Sequence, residues 1–134
     1  MSLLLDTNAL IWLLKASDEL GRQALHRIDQ AFQTSRVFVS ATSFWEVAML
    51  AAKDRLQLSK PMAQWRIEAL QLGIDEVPLD GELAIEAVAL TQLHGDPMDR
   101  FIAATAIKLG TPLVTSDARL LSWKGPLACI DARV

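Results

Sequence analysis

Five short apolar runs, "SLLLD", "RVFVS", "IDEVPL", "PLVTSD" and "PLACID", are separated by longer stretches in which apolar residues recur every three to five positions. Runs of that length have room for a strand but not for a helix, and nearly unbroken apolar runs suit strands buried on both faces. A chain that alternates strand and helix in this way builds a parallel sheet, because parallel neighbours need a crossover connection and the crossover helices then cover the sheet. The pattern predicts an α/β chain: a three-layer α/β/α sandwich with a central parallel sheet.

The intervening stretches carry the helical period. Leu20, Ala24, Leu25, Ile28 and Phe32 form one apolar stripe beside polar Arg22, Gln23, Arg27 and Gln30. Met62, Trp65, Ala69 and Leu72 form a second, and Leu83, Ala84, Ala87 and Val88 a third. These are amphipathic surface helices, whereas "FIAATAI" is apolar nearly all round and reads as a buried helix.

With 134 residues, 51% of them hydrophobic, the chain can supply one sizeable core, and no linker, repeat or charge block divides it. A single domain over 1–134 is expected. The longest apolar run is far short of the roughly 18 residues of a membrane span, and "MSLLLD" lacks a basic leader, so a soluble, cytoplasmic chain without membrane contact is expected. The one cysteine, Cys129, excludes an internal disulfide and a thiolate zinc site and reads as a small core residue. A net charge of −3 is unlike that of a basic nucleic-acid binder, so a polyanionic substrate would need local help.

In open parallel sheets, ligands bind outside the carboxyl ends of the strands, so acids placed there carry more information than acids on helix surfaces. Asp6 closes the first run and Asp117 the fourth. Glu46 follows the second run in "SATSFWEVAML", and Asp99 precedes the buried helix in "HGDPMDRFIAATA". Each also has an ordinary structural use. Ser43 and Glu46 fit a capping box, and Asp96-Pro97 fit an N-cap and first turn that places Asp99 at a helix start. Asp117 can cap a short helix through "ARLLSW", and Asp6 can begin a turn with Asn8. Asp6 and Asp99 are nonetheless each flanked by apolar sequence that must be buried, partly desolvated carboxylates repel one another, and a cation should offset that repulsion. Arg100 and Arg119 follow their acids too closely to be expected to point back at them. A divalent ion is the better candidate, and all-oxygen ligands select Mg2+ or Mn2+. His26 on a helix surface and His94 in a loop are not assigned to the metal.

"LLLDTNALIWLL", "VSATSFWEVAMLAAKDRLQL", "HGDPMDRFIAATAIKLG" and "TPLVTSD" resemble, in this order and over essentially the whole chain, the PIN domain ribonucleases, in particular the VapC toxins of toxin–antitoxin pairs. The resemblance implies a PIN-like nuclease domain with Asp6, Glu46, Asp99 and Asp117 as catalytic and metal-binding acids. Asn8, Thr115 and Ser116 are implied as supporting polar groups. It also implies Mg2+- or Mn2+-dependent endoribonuclease activity, an RNA substrate, a VapB-like antitoxin and a homodimer, with "FWEVAML" and "MAQWRIEAL" as candidate partner-binding helices. "DPMDR" departs from the DPFDR of close relatives without removing a carboxylate. Lys15, Lys53, Arg55, Arg100 and Arg119 are cations available for phosphates. Two alternatives compete: a phosphoacceptor module of the receiver kind, which would favour adjacent acids after the first strand and a late lysine, and a catalytically silent interaction domain whose acids only cap helices.

Overall fold

The computed structural model describes all 134 residues. Its strands are β1 (Leu3–Leu5), β2 (Val37–Ser40), β3 (Ile74–Val77), β4 (Leu113–Thr115) and β5 (Cys129–Asp131), each inside one of the five apolar runs. They form one sheet in the order β3-β2-β1-β4-β5, and every pairing is parallel. Between them lie α1 (Thr7–Leu14), α2 (Arg22–Thr34), α3 (Ala41–Ala52), α4 (Met62–Gln71), α5 (Gly81–Val88), α6 (Pro97–Leu109) and α7 (Ala118–Ser122).

Alternation along the strands divides the core into two layers, because successive side chains point to opposite faces. Leu3 and Leu5 of β1, with Val37 and Val39 of β2, pack with Ala9, Leu10, Ala24, Ile28, Phe44, Val47 and Trp65 from α1 to α4. Leu4 and Leu113 turn the other way and pack on Ile102, Ala103 and Ala106 of α6 and Leu120 of α7. Leu83 and Ala87 of α5 then pack on Ala104 of α6. Helix α6 is therefore sandwiched between the sheet and α5, which accounts for its nearly all-round apolar sequence. The expected three layers are present.

The amphipathic stripes hold in their centres and fray at their edges. Ala24, Ile28, Trp65, Ala69, Leu83 and Ala87 are buried, whereas Leu25, Leu72 and Val88 are exposed and Leu20 precedes its helix. Gly110 ends α6 at φ 66°, the left-handed conformation that glycine adopts without a Cβ penalty.

The topology fixes one place for a site. From β1 the chain runs outward to β2 and β3, then returns to β4 on the other side of β1, so the winding reverses at β1. The carboxyl ends of β1 and β4 flank that crevice. Because α6 leads into the parallel β4 through a short connection, it packs against the strand direction and brings its N-terminus to the same end.

Leu5 is fully buried between Val39 and Val114 in the central strand. Leu5→Ala is expected to cost about 3 kcal/mol in urea unfolding, whereas Ile85→Ala, on the exposed side of α5, should stay within about 0.5 kcal/mol.

Candidate metal centre

Asp6 follows β1 and caps α1: its Oδ1 accepts from Ala9 N at 2.8 Å. The expected local use of Asp6 is thus present, with the cap on a helix rather than on a turn with Asn8. The Thr115 side chain and the Ser116 backbone lie beside the carboxylate and favour its charged form. Asp6 is only 8% exposed. Burial is the largest influence and drives its pKa from 3.8 to about 6, with the neighbouring Thr115 side chain, the Ala9 bond and the Ser116 backbone opposing the rise and the Asp99 charge adding to it.

Glu46 lies well inside α3, not in its first turn. The helix is capped by Ser40, whose hydroxyl accepts from Thr42 N at 3.1 Å, so the Ser43–Glu46 capping box is not formed. Ser43 is fully buried. Glu46 Oε1 instead accepts from Thr7 Oγ1, at the start of α1, and Thr7 Oγ1 lies 3.0 Å from Ser43 Oγ. Burial raises the Glu46 pKa, helped by the charges of Asp99, Asp96 and Asp6, against the Thr7 bond.

At the start of α6, Asp96 is the N-cap and accepts from Met98 N at 3.0 Å and Asp99 N at 3.3 Å. Pro97 follows in the first turn, as expected. That leaves the Asp99 side chain free of capping duty. Its Oδ2 lies 2.8 Å from His94 Nε2 and 3.4 Å from Arg119 Nη2. Burial pushes its pKa up; the negative charges of Asp96 and Asp117 add to this, and the His94 bond opposes it. Asp117 caps α7 through Oδ1, accepting from Arg119 N at 2.7 Å and Leu120 N at 3.3 Å. Its pKa is affected most by burial, which works upward, yet the side-chain and backbone bonds from Arg119 and Leu120 hold it below the usual carboxylate value.

Two expectations are corrected here. Arg119 points back at the acids, with Nη2 also 3.1 Å from Asp117 Oδ2, because the turn of α7 folds its side chain over the cap. His94 does sit in a loop, but that loop returns to the start of α6, so the surroundings of Asp99 are not all oxygen. Ligand atoms of His94, Asp99 and Asp117 lie within 4.8 Å of one another. Neither contact is visible as a motif, since His94 and Asp99 are five residues apart across a turn and Asp99 and Arg119 are twenty apart.

Arg100 faces away, as expected, but it is not free for phosphates. Its guanidinium donates to the carbonyls of Ala87, Val88, Leu90, Leu93 and His94 and ties down the connection between α5 and α6. Lys15 and Lys53 sit at the far ends of α1 and α3, roughly 12 and 18 Å along helices of 8 and 12 residues. Of the supporting groups, Thr115 lies between two acids: its side chain is beside Asp6, and its hydroxyl accepts from Asp117 N at 3.1 Å. Ser116 contributes its backbone N–H, and Asn8 is exposed in α1 without a hydrogen bond to any of the four acids.

The four acids thus come from β1, α3, α6 and the end of β4 to one end of the sheet and influence one another's charge. Neither Asp6 nor Glu46 forms an ion pair, so a partly desolvated group of carboxylates is short of positive charge. That donor set fits a divalent cation.

Residues 3–124 match the family model described as PIN domain. The chain belongs to the PIN domain family. It is similar to Ribonuclease VapC22 of Mycobacterium tuberculosis, with 36% identity over 126 residues, covering 93% of this chain and 94% of that protein. Among solved structures, this PIN chain resembles a chain of VapBC2 from Rickettsia felis, bound to a promoter DNA fragment, with TM-score 0.72 and 16% identity over 97% and 98% of the two chains. It also resembles a chain of a toxin–antitoxin complex from Klebsiella pneumoniae, with TM-score 0.62, 24% identity and 96% coverage of both. At those identities the structures support the fold.

The buried Asp6 sets a pH dependence. Its folded pKa, about 6, lies above its ordinary 3.8. Between these values the folded chain holds a proton that the unfolded chain releases, so stability falls as pH rises from about 4 to 6. Asn at this position keeps an oxygen for the α1 cap. Asp6→Asn in the metal-stripped chain is expected to be more stable than the native chain at pH 7, by about 2 kcal/mol, with the difference vanishing near pH 4. Denaturant titrations at both pH values test this; a difference independent of pH contradicts it.

Proposed function

We propose that the chain is a metal-dependent endoribonuclease, the toxin of a VapBC-type pair, with Asp6, Glu46, Asp99 and Asp117 as its catalytic acids. The observation that carries the reading is that these carboxylates gather at the carboxyl ends of β1 and β4 while buried Asp6 and half-buried Glu46 have no ion pair. Resemblance to a ribonuclease along nearly the full length supports RNA as substrate. Asp6, Glu46 and Asp99 would hold the ion directly or through water, with Asp117 completing the site. Predominantly carboxylate ligands favour Mg2+ or Mn2+, and an imidazole at Asp99 is compatible with Mn2+. A bound ion would supply Lewis-acid stabilisation of charge on the phosphoryl oxygens and a water of lowered pKa.

The chain's own groups have defined tasks. The bond from Ala9 N fixes the Asp6 carboxylate, with Thr115 and Ser116 beside it, and Thr7 fixes that of Glu46. The α7 cap fixes Asp117. These hydrogen bonds set the carboxylates in place before any substrate arrives, which is where electrostatic catalysis gains most.

A cognate antitoxin is the proposed partner, on the strength of toxin–antitoxin complexes with this fold. Of the apolar candidates for partner contact, Trp65 is buried and Met62 packs against the core, while Trp45 is 58% exposed and lines an apolar hollow with Leu79 and Met98. Trp45 is thus the candidate for a homodimer contact. A cytoplasmic setting suits RNA as substrate, and no helix is long and apolar enough to cross a membrane.

The purified chain should cleave single-stranded or loop RNA with Mg2+ or Mn2+ and lose that activity in EDTA. Asp6→Asn and Asp99→Asn should each lower the rate about 100-fold, the scale of one charge-stabilising group. Full turnover in EDTA, or near-native turnover in either variant, refutes the assignment.

A further inference from the structure

We infer that Arg119 is an internal counter-cation of this centre: its guanidinium bridges Asp99 and Asp117 in the metal-free chain and is displaced when a divalent ion takes the same carboxylates. The inference rests on the metal-centre reading above and adds how the acids are neutralised before loading.

One guanidinium nitrogen reaches both acids. Arg119 Nη2 lies 3.1 Å from Asp117 Oδ2 and 3.4 Å from Asp99 Oδ2, and Nε is 3.4 Å from Asp117 Oδ1. An ion held by Asp99 and Asp117 would compete with the guanidinium for the same carboxylate oxygens. His94 reaches the same Asp99 oxygen from another side, so Asp99 Oδ2 is already shared.

Arg119 is held in the way a replaceable group should be. Its backbone is fixed, because its N–H feeds the Asp117 cap, but its side chain is 57% exposed and its guanidinium bonds only these carboxylates. Arg100 is the contrast, with its guanidinium engaged by five carbonyls. Release of Arg119 needs rotation of one solvated side chain, and the cap keeps Asp117 in position meanwhile. An open cavity of about 380 Å³ beside it, lined also by His94, Gln92 and Lys124, gives the guanidinium room to turn.

The magnitudes let the ion win. An exposed pair like this biases an equilibrium by no more than about fivefold, whereas a doubly charged ion engages several acids at once. Arg119 therefore lowers the apparent metal affinity modestly and steadies the metal-free acids, chiefly Asp99 and Asp117.

Calorimetric Mn2+ titrations of the native chain, Arg119→Gln, Lys124→Gln and Asp99→Asn, at one ionic strength, test the inference. Arg119→Gln should bind Mn2+ about threefold to fivefold more tightly. Lys124→Gln removes the same charge from the same cavity and should change affinity less than about 1.5-fold. In thermal melts Arg119→Gln should be less stable than the native chain in EDTA, and the gap should narrow at saturating Mn2+. Unchanged or weaker Mn2+ binding by Arg119→Gln, or equal tightening by Lys124→Gln, overturns the counter-cation while leaving the metal centre standing. No saturable Mn2+ binding by any chain, or native-like binding by Asp99→Asn, overturns the metal centre and this inference with it.

Discussion

All five strands run the same way, and the arrangement of the candidate site follows from that constraint. Parallel pairing sends each strand's carboxyl end to one side of the sheet, and the helices entered there, α1 after β1 and α3 after β2, begin on that side too. Helix starts attract carboxylates, because unpaired N–H groups and the helix dipole both favour negative charge. A parallel sheet with short strand-to-helix turns thus gathers acids at one rim for structural reasons. Burying Asp6 and Glu46 there with no ion pair of their own is what turns a row of acids into a place for an ion.

The capping and ligand uses of these acids are not rivals. Asp6 caps α1 and Asp117 caps α7 through Oδ1 in each case, and a carboxylate has a second oxygen. The cap fixes the rotamer, so the remaining oxygen is presented at a set angle. Asp99 works differently: Asp96 takes the cap and frees Asp99 to be held by side chains alone. Glu46 is held across elements by Thr7. Two of the acids are aimed by backbone N–H groups and two by side chains, so a substitution at Thr7 or His94 reaches the site without touching an acid.

The strands, the buried helix and the placement of Asp6, Asp99 and Asp117 at strand and helix ends were legible because they follow local rules: runs of apolar residues, helical period, an acid after a strand or before a helix. What was not legible depends on pairing at a distance. Arg119 was expected to point away because it is two residues from Asp117; the opposite holds because the first turn of α7 curls it back over its own cap. His94 was set aside as a loop residue, and only the path of the Arg100-bound loop returns it to Asp99. The Ser43–Glu46 spacing matched a capping box, but the helix begins earlier, at Ala41 after Ser40, which moves both residues into its interior. A local pattern locates a residue along the chain, while its partner is chosen by the fold.

The five carbonyls gathered by Arg100 have a consequence for the segment that carries His94. Carbonyl oxygens of an irregular connection normally exchange among water molecules, and the segment then samples many shapes. Here one guanidinium, pinned to α6 by its own backbone, takes three of them, together with two from the last turn of α5, as a single multidentate ligand, much as a chelator wraps an ion. Lysine has neither the planar fork nor enough donors to do so. The shape of the connection is therefore set by a side chain next in sequence to Asp99, and the two neighbours divide the work: one holds the loop, the other receives the histidine that the loop delivers.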